Sequence, residues 1–491
     1  MKKKIARNTA IALLLFNLLF IARLNAADIF IGAGTADISP SLPVALMGQF
    51  HLRIAHTAKT PLFANVVALE VREANRSIEQ TVFVSCDLVF IPTILKELVQ
   101  KEVAARLPEL NVKKIILSAT HTHTSPVLED SWYKIPQTGV LQAGDYQKFF
   151  AKRVADAIIR AWKAREKGSV TWGLTSAAVA HNRRAVYTNG SAVMYGKTDK
   201  PEFQNLEGYV DHDVNTLFFW NNNKKLIATS VDVPCPAQEV EGDSTVDADF
   251  WHEVRMGLKK RFGSDLCVLG WVGAAGDQSP HLMYRKAADE RMIKLAKISR
   301  KEAIARRIIA AVEESYQTVK DDSKSNVTLS HKVETLTLPM RSVTEAEYNE
   351  SKKISDEASA KINADPQSAD RLHGLMVWNG DVVKRYEKEK SSGPQTYDTE
   401  IHVVRLGDAV ICTNQFELFT DFGIRIQARS KALQTFVVQL TGPGTYLPTA
   451  KAVGGGGYSA VCQSNLVGPE GGHILVERTI QLINQLWDEN K

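Results

Sequence analysis

Short apolar runs alternate along this chain with stretches whose apolar residues recur every three and four positions. The runs Val66–Val71, Thr81–Cys86, Lys114–Ser118, Leu217–Trp220, Leu226–Val233 and Leu266–Val272 predict strands. Ile94–Ala105, Asp145–Trp162 and Arg291–Val312 carry helical spacing. This alternation predicts an α/β protein with a mixed β-sheet core flanked by helices. Two stretches depart from it. Gly190–Tyr209 is polar and glycine-bearing, which predicts a long surface loop near a site. Residues 344 to about 395 are charged and helix-prone, and Ser391-Ser392-Gly393-Pro394 ends them. They predict a mobile helical excursion, either a plain solvated hairpin or a functional lid. Ile401–Leu406 and Ala409–Thr413 then resume a strand pair around Gly407-Asp408.

The first residues change the reading of charge. Lys2, Lys3, Lys4 and Arg7 precede an apolar stretch from Ile11 to Ala22, and Ala26 offers a small residue at a cut. The pattern is that of a cleaved export signal, too short to span a membrane stably. It predicts a periplasmic or secreted protein whose domain runs over 27–491, with no transmembrane segment after cleavage. The chain carries 60 Lys plus Arg and 55 Asp plus Glu. The leader holds five of the basic residues and no acidic one, so the remainder is formally neutral. That leaves no basic footprint for nucleic acid. Five cysteines are too few for a disulfide framework in a chain of this length. Cys86, Cys267 and Cys412 lie in strand-like runs and are expected in the core.

Candidate chemistry clusters at predicted strand ends. Ser118-Ala119-Thr120-His121-Thr122-His123-Thr124-Ser125-Pro126 follows the apolar run Ile115-Ile116-Leu117. In an extended chain side chains two apart share a face, so His121 and His123 face one side. Neutral imidazole is a common zinc ligand. Gly276-Asp277-Gln278-Ser279-Pro280-His281 and Asn414-Gln415-Phe416-Glu417 each follow a strand-like run. Tyr446-Leu447-Pro448-Thr449 and Gly454-Gly455-Gly456-Gly457-Tyr458 lie near the C-terminus. Trp132, Tyr133, Tyr187, Tyr195 and Trp251 sit in loop-like segments and either stack on a ligand or pack.

These motifs, in this order with Gly32-Ala33-Gly34 and Asp37-Ile38-Ser39-Pro40 before them and His181-Asn182-Arg183-Arg184 between, resemble the catalytic domain of neutral/alkaline ceramidases. The resemblance runs from about Ile31 to the C-terminus and is weakest at 340–400. It implies one zinc ion held by two histidines, a glutamate and a tyrosine. Carried over, His121, Glu417 and Tyr446 are ligands, Tyr458 is a catalytic tyrosine and His123 a general acid/base. Arg183 holds a substrate oxygen, and Ser279 is a nucleophile or substrate contact. Asn182, Asp277 and His281, in the same motifs, are candidate substrate contacts. One position departs. Where the family places its second ligand, in His-Pro about fourteen residues before an Asp, this chain has Cys235-Pro236 before Asp249. Cys235 either replaces the histidine as a thiolate or is a small core residue; Gln238, His252 and His281 are spare polar groups nearby.

The expected function is a zinc-dependent hydrolase that cleaves an amide (N-acyl) bond of a small-molecule substrate, an N-acyl lipid or a carbohydrate-derived compound. The chain has no room for the β-sandwich that follows the catalytic domain in ceramidases, which puts ceramide itself in question. Two alternatives stand: a hydrolase acting on an ester or carbohydrate-derived substrate, and a non-enzymatic binding protein with a degraded metal site.

Overall fold

The computed structural model describes residues 27–74, 76–129 and 132–488. The expected leader lies outside them. Eight strands form the larger sheet: β1 (Asp28–Asp37), β2 (Phe63–Glu73), β3 (Arg76–Cys86), β4 (Ile115–Ala119), β5 (Glu166–Ser176), β6 (Asp213–Asn221), β7 (Leu226–Val233) and β8 (Cys267–Val272). Their order across the sheet is β8-β7-β6-β5-β1-β2-β3-β4. The end pairs β3–β4 and β7–β8 are parallel and the rest antiparallel. A second sheet contains β9 (Leu329–Pro339), β10 (Thr396–Leu406), β11 (Ala409–Thr413) and β12 (Gln434–Val438), in that order.

Alternation of side chains along each strand explains the layering. Val67, Leu69, Phe83, Leu217, Leu269 and Trp271 point to one face of the large sheet and meet Val404, Ile411, Phe436 and Val438 of the second. Val66, Ala68, Val82, Val84 and Leu117 point to the other face, under helices Thr93–Arg106 and Ala143–Lys163. Phe218, Val231 and Val268 face the same way, under Phe250–Phe262 and Arg300–Val319. The outer face of the small sheet is covered by Thr420–Arg429 and Pro469–Asp488. Helix, sheet, sheet and helix thus stack in four layers. Strands buried on both faces must be apolar at nearly every position, which is why they read as continuous runs.

Several local expectations change. The predicted helix Arg291–Val312 is two helices, Lys286–Ala296 and Arg300–Val319. Lys297 adopts a left-handed conformation at the end of the first, and Ser299 with Glu302 forms a capping box that starts the second. Apolar spacing continues across the break, so periodicity alone misses it. Gly190–Tyr209 is not simply loop: Ala192–Met194 and Phe203–Leu206 flank Arg184–Tyr187 in a small antiparallel sheet. Residues 345–392 form two helices, Glu345–Ala364 and Ala369–Ser392, packed on each other and on the body. The Asp370 carbonyl accepts from the Leu52 amide at 3.1 Å, and Arg385 donates to the Cys462 and Arg341 carbonyls at 2.8 Å each. All five cysteines are buried free thiols. Among the described residues no helix is long and apolar enough to cross a membrane.

Candidate functional site

Loops leaving the C-terminal ends of β4, β7, β8, β11 and β12 come together at one end of the sheets, the usual place for a site in such folds. Backbone hydrogen bonds lock them: Ala119 to the Leu440 carbonyl, Ala237 to Thr120, Gly276 to Leu418 and Gln439 to Val272. Arg53 stitches three further loops. Its guanidinium donates to the carbonyls of Met47, His123, Glu241 and Asp243 at 2.6–2.7 Å. A cavity of about 270 Å³ opens here. His121, His123, Glu417, Tyr446 and Tyr458 all line it.

His121 and His123 converge, though not through an extended backbone. His121 has φ +66, a left-handed conformation that costs a non-glycine residue roughly 1–2 kcal/mol. Strain of this kind, retained in a well-packed loop, often marks a functional position. The His121 Nδ1–H donates to the Val89 carbonyl at 2.7 Å, which leaves Nε2 with a bare lone pair. That nitrogen lies 3.4 Å from Glu417 Oε2 and 3.2 Å from His123 Nε2. Glu417 and Tyr446 are register partners in a two-residue parallel bridge, so their side chains leave the same face.

Arg183 is the hub beneath them. Fully buried, it donates to the Tyr446 hydroxyl at 3.1 Å, the Gly276 carbonyl at 3.0 Å, Gln238 Oε1 at 3.0 Å and the Tyr195 hydroxyl at 3.3 Å. It also stands 3.9 Å from Glu417 Oε2. Burial works against its charge, but Tyr446, Tyr195 and Glu417 outweigh burial and hold the guanidinium well above its ordinary pKa. Because Gln238 gives its oxygen to Arg183, its amide nitrogen is turned to His123 Nε2, at 2.8 Å. His123 therefore accepts at Nε2 and carries its proton on Nδ1, which faces Glu241 Oε2 at 3.4 Å. Burial, His121, Arg53 and Arg183 push the His123 pKa well below the usual imidazole value, so the ring is neutral.

Both tyrosines are protonated. Burial raises Tyr446 well above the phenol range, against the pull of Arg183. Burial and then Glu417 raise Tyr458. The Tyr458 ring meets Tyr446 edge-on at 5.7 Å, and its hydroxyl has no hydrogen bond to any described residue. The glycine run earns its place through Gly457. There φ is +84, and a Cβ would lie 2.5 Å from the Ala192 carbonyl oxygen. Only glycine lets the chain pass that strand and turn Tyr458 into the cavity.

Other expected residues land elsewhere. Cys235 does not join His121 and Glu417. It is fully buried in the apolar layer under helix Phe250–Phe262, and its sulfur faces the Val179 and Pro236 carbonyls at 3.7 and 3.8 Å. Burial, with Asp249 and Glu239, raises its pKa well above the thiol range, so thiolate is disfavoured. Gln238, three residues on, reaches the site instead. Asn182 and Asp277 do not line the cavity. The Asn182 amide donates to Asp277 Oδ2 at 2.9 Å, and Asp277 Oδ1 accepts from the Thr420 amide and hydroxyl. They brace the loops that carry Arg183 and Glu417. Ser279 is buried behind Arg183 and accepts from the Tyr195 hydroxyl at 2.9 Å. His281 sits farther out, 3.6 Å from the second oxygen of Glu241. Trp132 and Tyr133 line the cavity, whereas Trp251 is a core residue.

Sequence reasoning missed Phe50, Glu129, Trp378 and Arg53. Trp378 comes from the helical hairpin and lies 5.2 Å from Phe50 and 5.7 Å from Tyr458, which makes the hairpin a wall of the cavity. Its only sequence signal is an aromatic residue within a charged helix. Arg53 has no signal at all.

The donor set can be tested for a small divalent ion. Among the described residues no group of three or more His, Cys, Asp and Glu side chains stands ready for one, because Cys235 is turned away and the His123 Nε2 lone pair is taken by Gln238. His121 Nε2, Glu417 Oε2 and the Tyr446 hydroxyl remain. Three protein donors beside an open position is the pattern of catalytic zinc, so these residues fit the ion.

The comparisons with known proteins agree with this architecture. Residues 30–231 match the family of neutral/alkaline non-lysosomal ceramidases, N-terminal part. The fold is similar to a crystal structure of neutral ceramidase from Pseudomonas aeruginosa, with TM-score 0.67 and 16% identity over 94% of this chain and 75% of that one. A ceramidase complexed with C2 is similar at TM-score 0.67 and 14% identity, over 94% and 76% of the two chains. No curated protein sequence matches significantly. The class is a four-layer α/β fold with its polar site at the strand ends. The family match covers residues 30–231, and over the chain as a whole the likeness to the solved ceramidases is one of fold.

Proposed function

We propose that this protein is a zinc-dependent hydrolase of the ceramidase type that cleaves an N-acyl amide bond, with the ion held by His121, Glu417 and Tyr446. The observation that carries the reading is the bare Nε2 of His121 facing the Glu417 carboxylate at 3.4 Å in a cavity also lined by two tyrosines. The ion supplies Lewis acidity, polarising the acyl oxygen and lowering the pKa of water to about 7.

The chain's own residues do the rest. Arg183 pairs with Tyr446 and Glu417, which keeps both donors in register. Tyr458, protonated and with a free hydroxyl, donates to the acyl oxygen as negative charge grows there. His123, kept neutral beside His121, takes the proton of the attacking water at Nε2 in exchange for the Gln238 hydrogen bond and passes it to the departing nitrogen. Gln238 and Glu241 hold the His123 tautomer for that exchange. The basic and apolar leader at residues 1–26 supports an exported enzyme.

The test is metal content together with amide cleavage. One equivalent of zinc that survives dialysis, and amine release abolished by chelator and restored by zinc, are the expected results. Full activity in metal-free protein, or no metal in protein that still binds its ligand after Glu417→Ala, overturns the proposal; the second result supports a non-enzymatic binder.

A further inference from the structure

We propose that the cavity is built for a single N-acylated amino-sugar unit rather than for a molecule with two long alkyl chains. This rests on the hydrolase reading of the same site and names its substrate class. The volume, about 270 Å³, lies at the small end of ligand pockets, which run about 300–1,000 Å³. A six-membered ring with a short acyl group suits it, whereas a long acyl chain and a long-chain base together would extend beyond it.

The lining has two chemistries. Phe50 meets Trp132, Trp378 and Tyr458 edge-on, with centroids at 6.3, 5.2 and 5.6 Å. These mutual contacts fix the rings and offer the C–H face of a sugar a rigid platform. Met47, Val89, Phe90 and Leu440 extend the apolar part, and two further lining groups, Ser464 and Glu129, carry unused hydrogen-bonding capacity. Ser464 is 6% exposed, and its hydroxyl has no partner among the described residues although it lines the cavity. Buried hydroxyls are normally paired, so this one points to a ligand. Glu129 lines the cavity with no Lys or Arg partner among the described residues, and burial raises its pKa. Among the described residues no Lys or Arg lines the cavity, so a phosphate or sulfate finds no side-chain counter-charge there. The hydroxyls of a neutral sugar satisfy both Ser464 and Glu129; an alkyl chain satisfies neither. Water adds to the acyl carbon, the C–N bond breaks, and the products are a short carboxylic acid and an amino sugar.

The experiment uses the zinc-loaded protein with N-acetylglucosamine and, separately, a long-chain ceramide, measuring amine release. A second readout is quenching of tryptophan fluorescence (Trp132 and Trp378) as N-acetylglucosamine is titrated into metal-free protein. Saturable hydrolysis and quenching by the sugar are expected. Trp378→Ala should raise KM about tenfold with kcat within about threefold, and Trp378→Phe should restore most of it. Ser464→Ala, which removes one atom, should raise KM about fivefold without loss of folded protein. Ceramide hydrolysis with neither sugar hydrolysis nor quenching overturns the sugar assignment and leaves the hydrolase reading standing. Saturable quenching without amine release from either compound supports the sugar site and overturns the hydrolase reading.

Discussion

Gly48→Ala should disable the site without changing any of its polar side chains. Gly48 has φ +105, and a Cβ there would lie 2.5 Å from His123 Cγ and 2.7 Å from its Nδ1. Ordinary contact begins at 3.4 Å, so the ring must withdraw by about 1 Å. Withdrawal stretches the 2.8 Å bond from Gln238 beyond hydrogen-bond range. The backbone conformation costs about 1–2 kcal/mol for an alanine and an off-rotamer imidazole about 0.5–1.5, or about 2–3 kcal/mol together. Misplacing a catalytic group by about 1 Å lowers kcat/KM about 10²-fold. Gly139→Ala is the control. It too has positive φ (+75), but nothing lies within 4 Å of its Cβ, so it registers the backbone cost alone. Urea unfolding and kcat/KM for amide cleavage would be measured on both. If Gly48→Ala matches Gly139→Ala within about 0.5 kcal/mol and keeps wild-type kcat/KM, the close packing of His123 on Gly48 is wrong.

Three further outcomes follow from the site and the core. Cys235→Ser should keep its zinc and lose only about 1 kcal/mol of stability, whereas Glu417→Gln should lose the metal; inductively coupled plasma analysis after dialysis separates the two. Arg183→Lys should lower kcat/KM about 10²–10³-fold, because a point charge cannot serve Tyr446, Gly276 and Gln238 at once; a loss below tenfold would contradict the hub role. Stability should fall as pH drops below about 6.5, the unfolded histidine value, toward the lower folded values of His331 and His402. Burial depresses both, and their rings share a 2.9 Å hydrogen bond between neighbouring strands of the small sheet. Above that window they contribute no slope, because both states are neutral. Burial opposes ionisation of Glu400, but His402 and Lys96 hold its pKa at about 2, so a further loss sets in only as pH falls below about 4.5. Urea midpoints at pH 7.5, 6.0 and 5.0 test this, and an unchanged midpoint across them contradicts it.

The layers were legible because strands buried on both faces must be apolar throughout, and Val66–Val71 and Leu226–Val233 obey that rule. Five of the cavity's polar side chains were legible as well: His121, His123, Glu417 and Tyr446 sit in motifs at strand ends, and Tyr458 follows the glycine run. What stayed hidden depends on where a side chain points after distant segments dock. Cys235 and Gln238 are three residues apart on one loop, and only folding decides that the amide faces His123 while the thiol faces the Val179 carbonyl. Asn182 and Asp277 sit in motifs that suggest ligand contact, yet they spend their hydrogen bonds on each other and on Thr420. Trp378 lies in a segment with no apolar stripe strong enough to announce docking, and Arg53 acts on four carbonyls scattered over the chain.

His121 and Glu417 stand nearly three hundred residues apart in the chain yet touch in the folded protein. Closing such a span is among the slowest events in folding, because the entropy is lost before any contact repays it. A refolding experiment should therefore see β-structure return well before catalysis does, and recovered turnover would report the last assembly step. Under the proposed export, such late assembly would keep the proposed centre from forming until translocation is over.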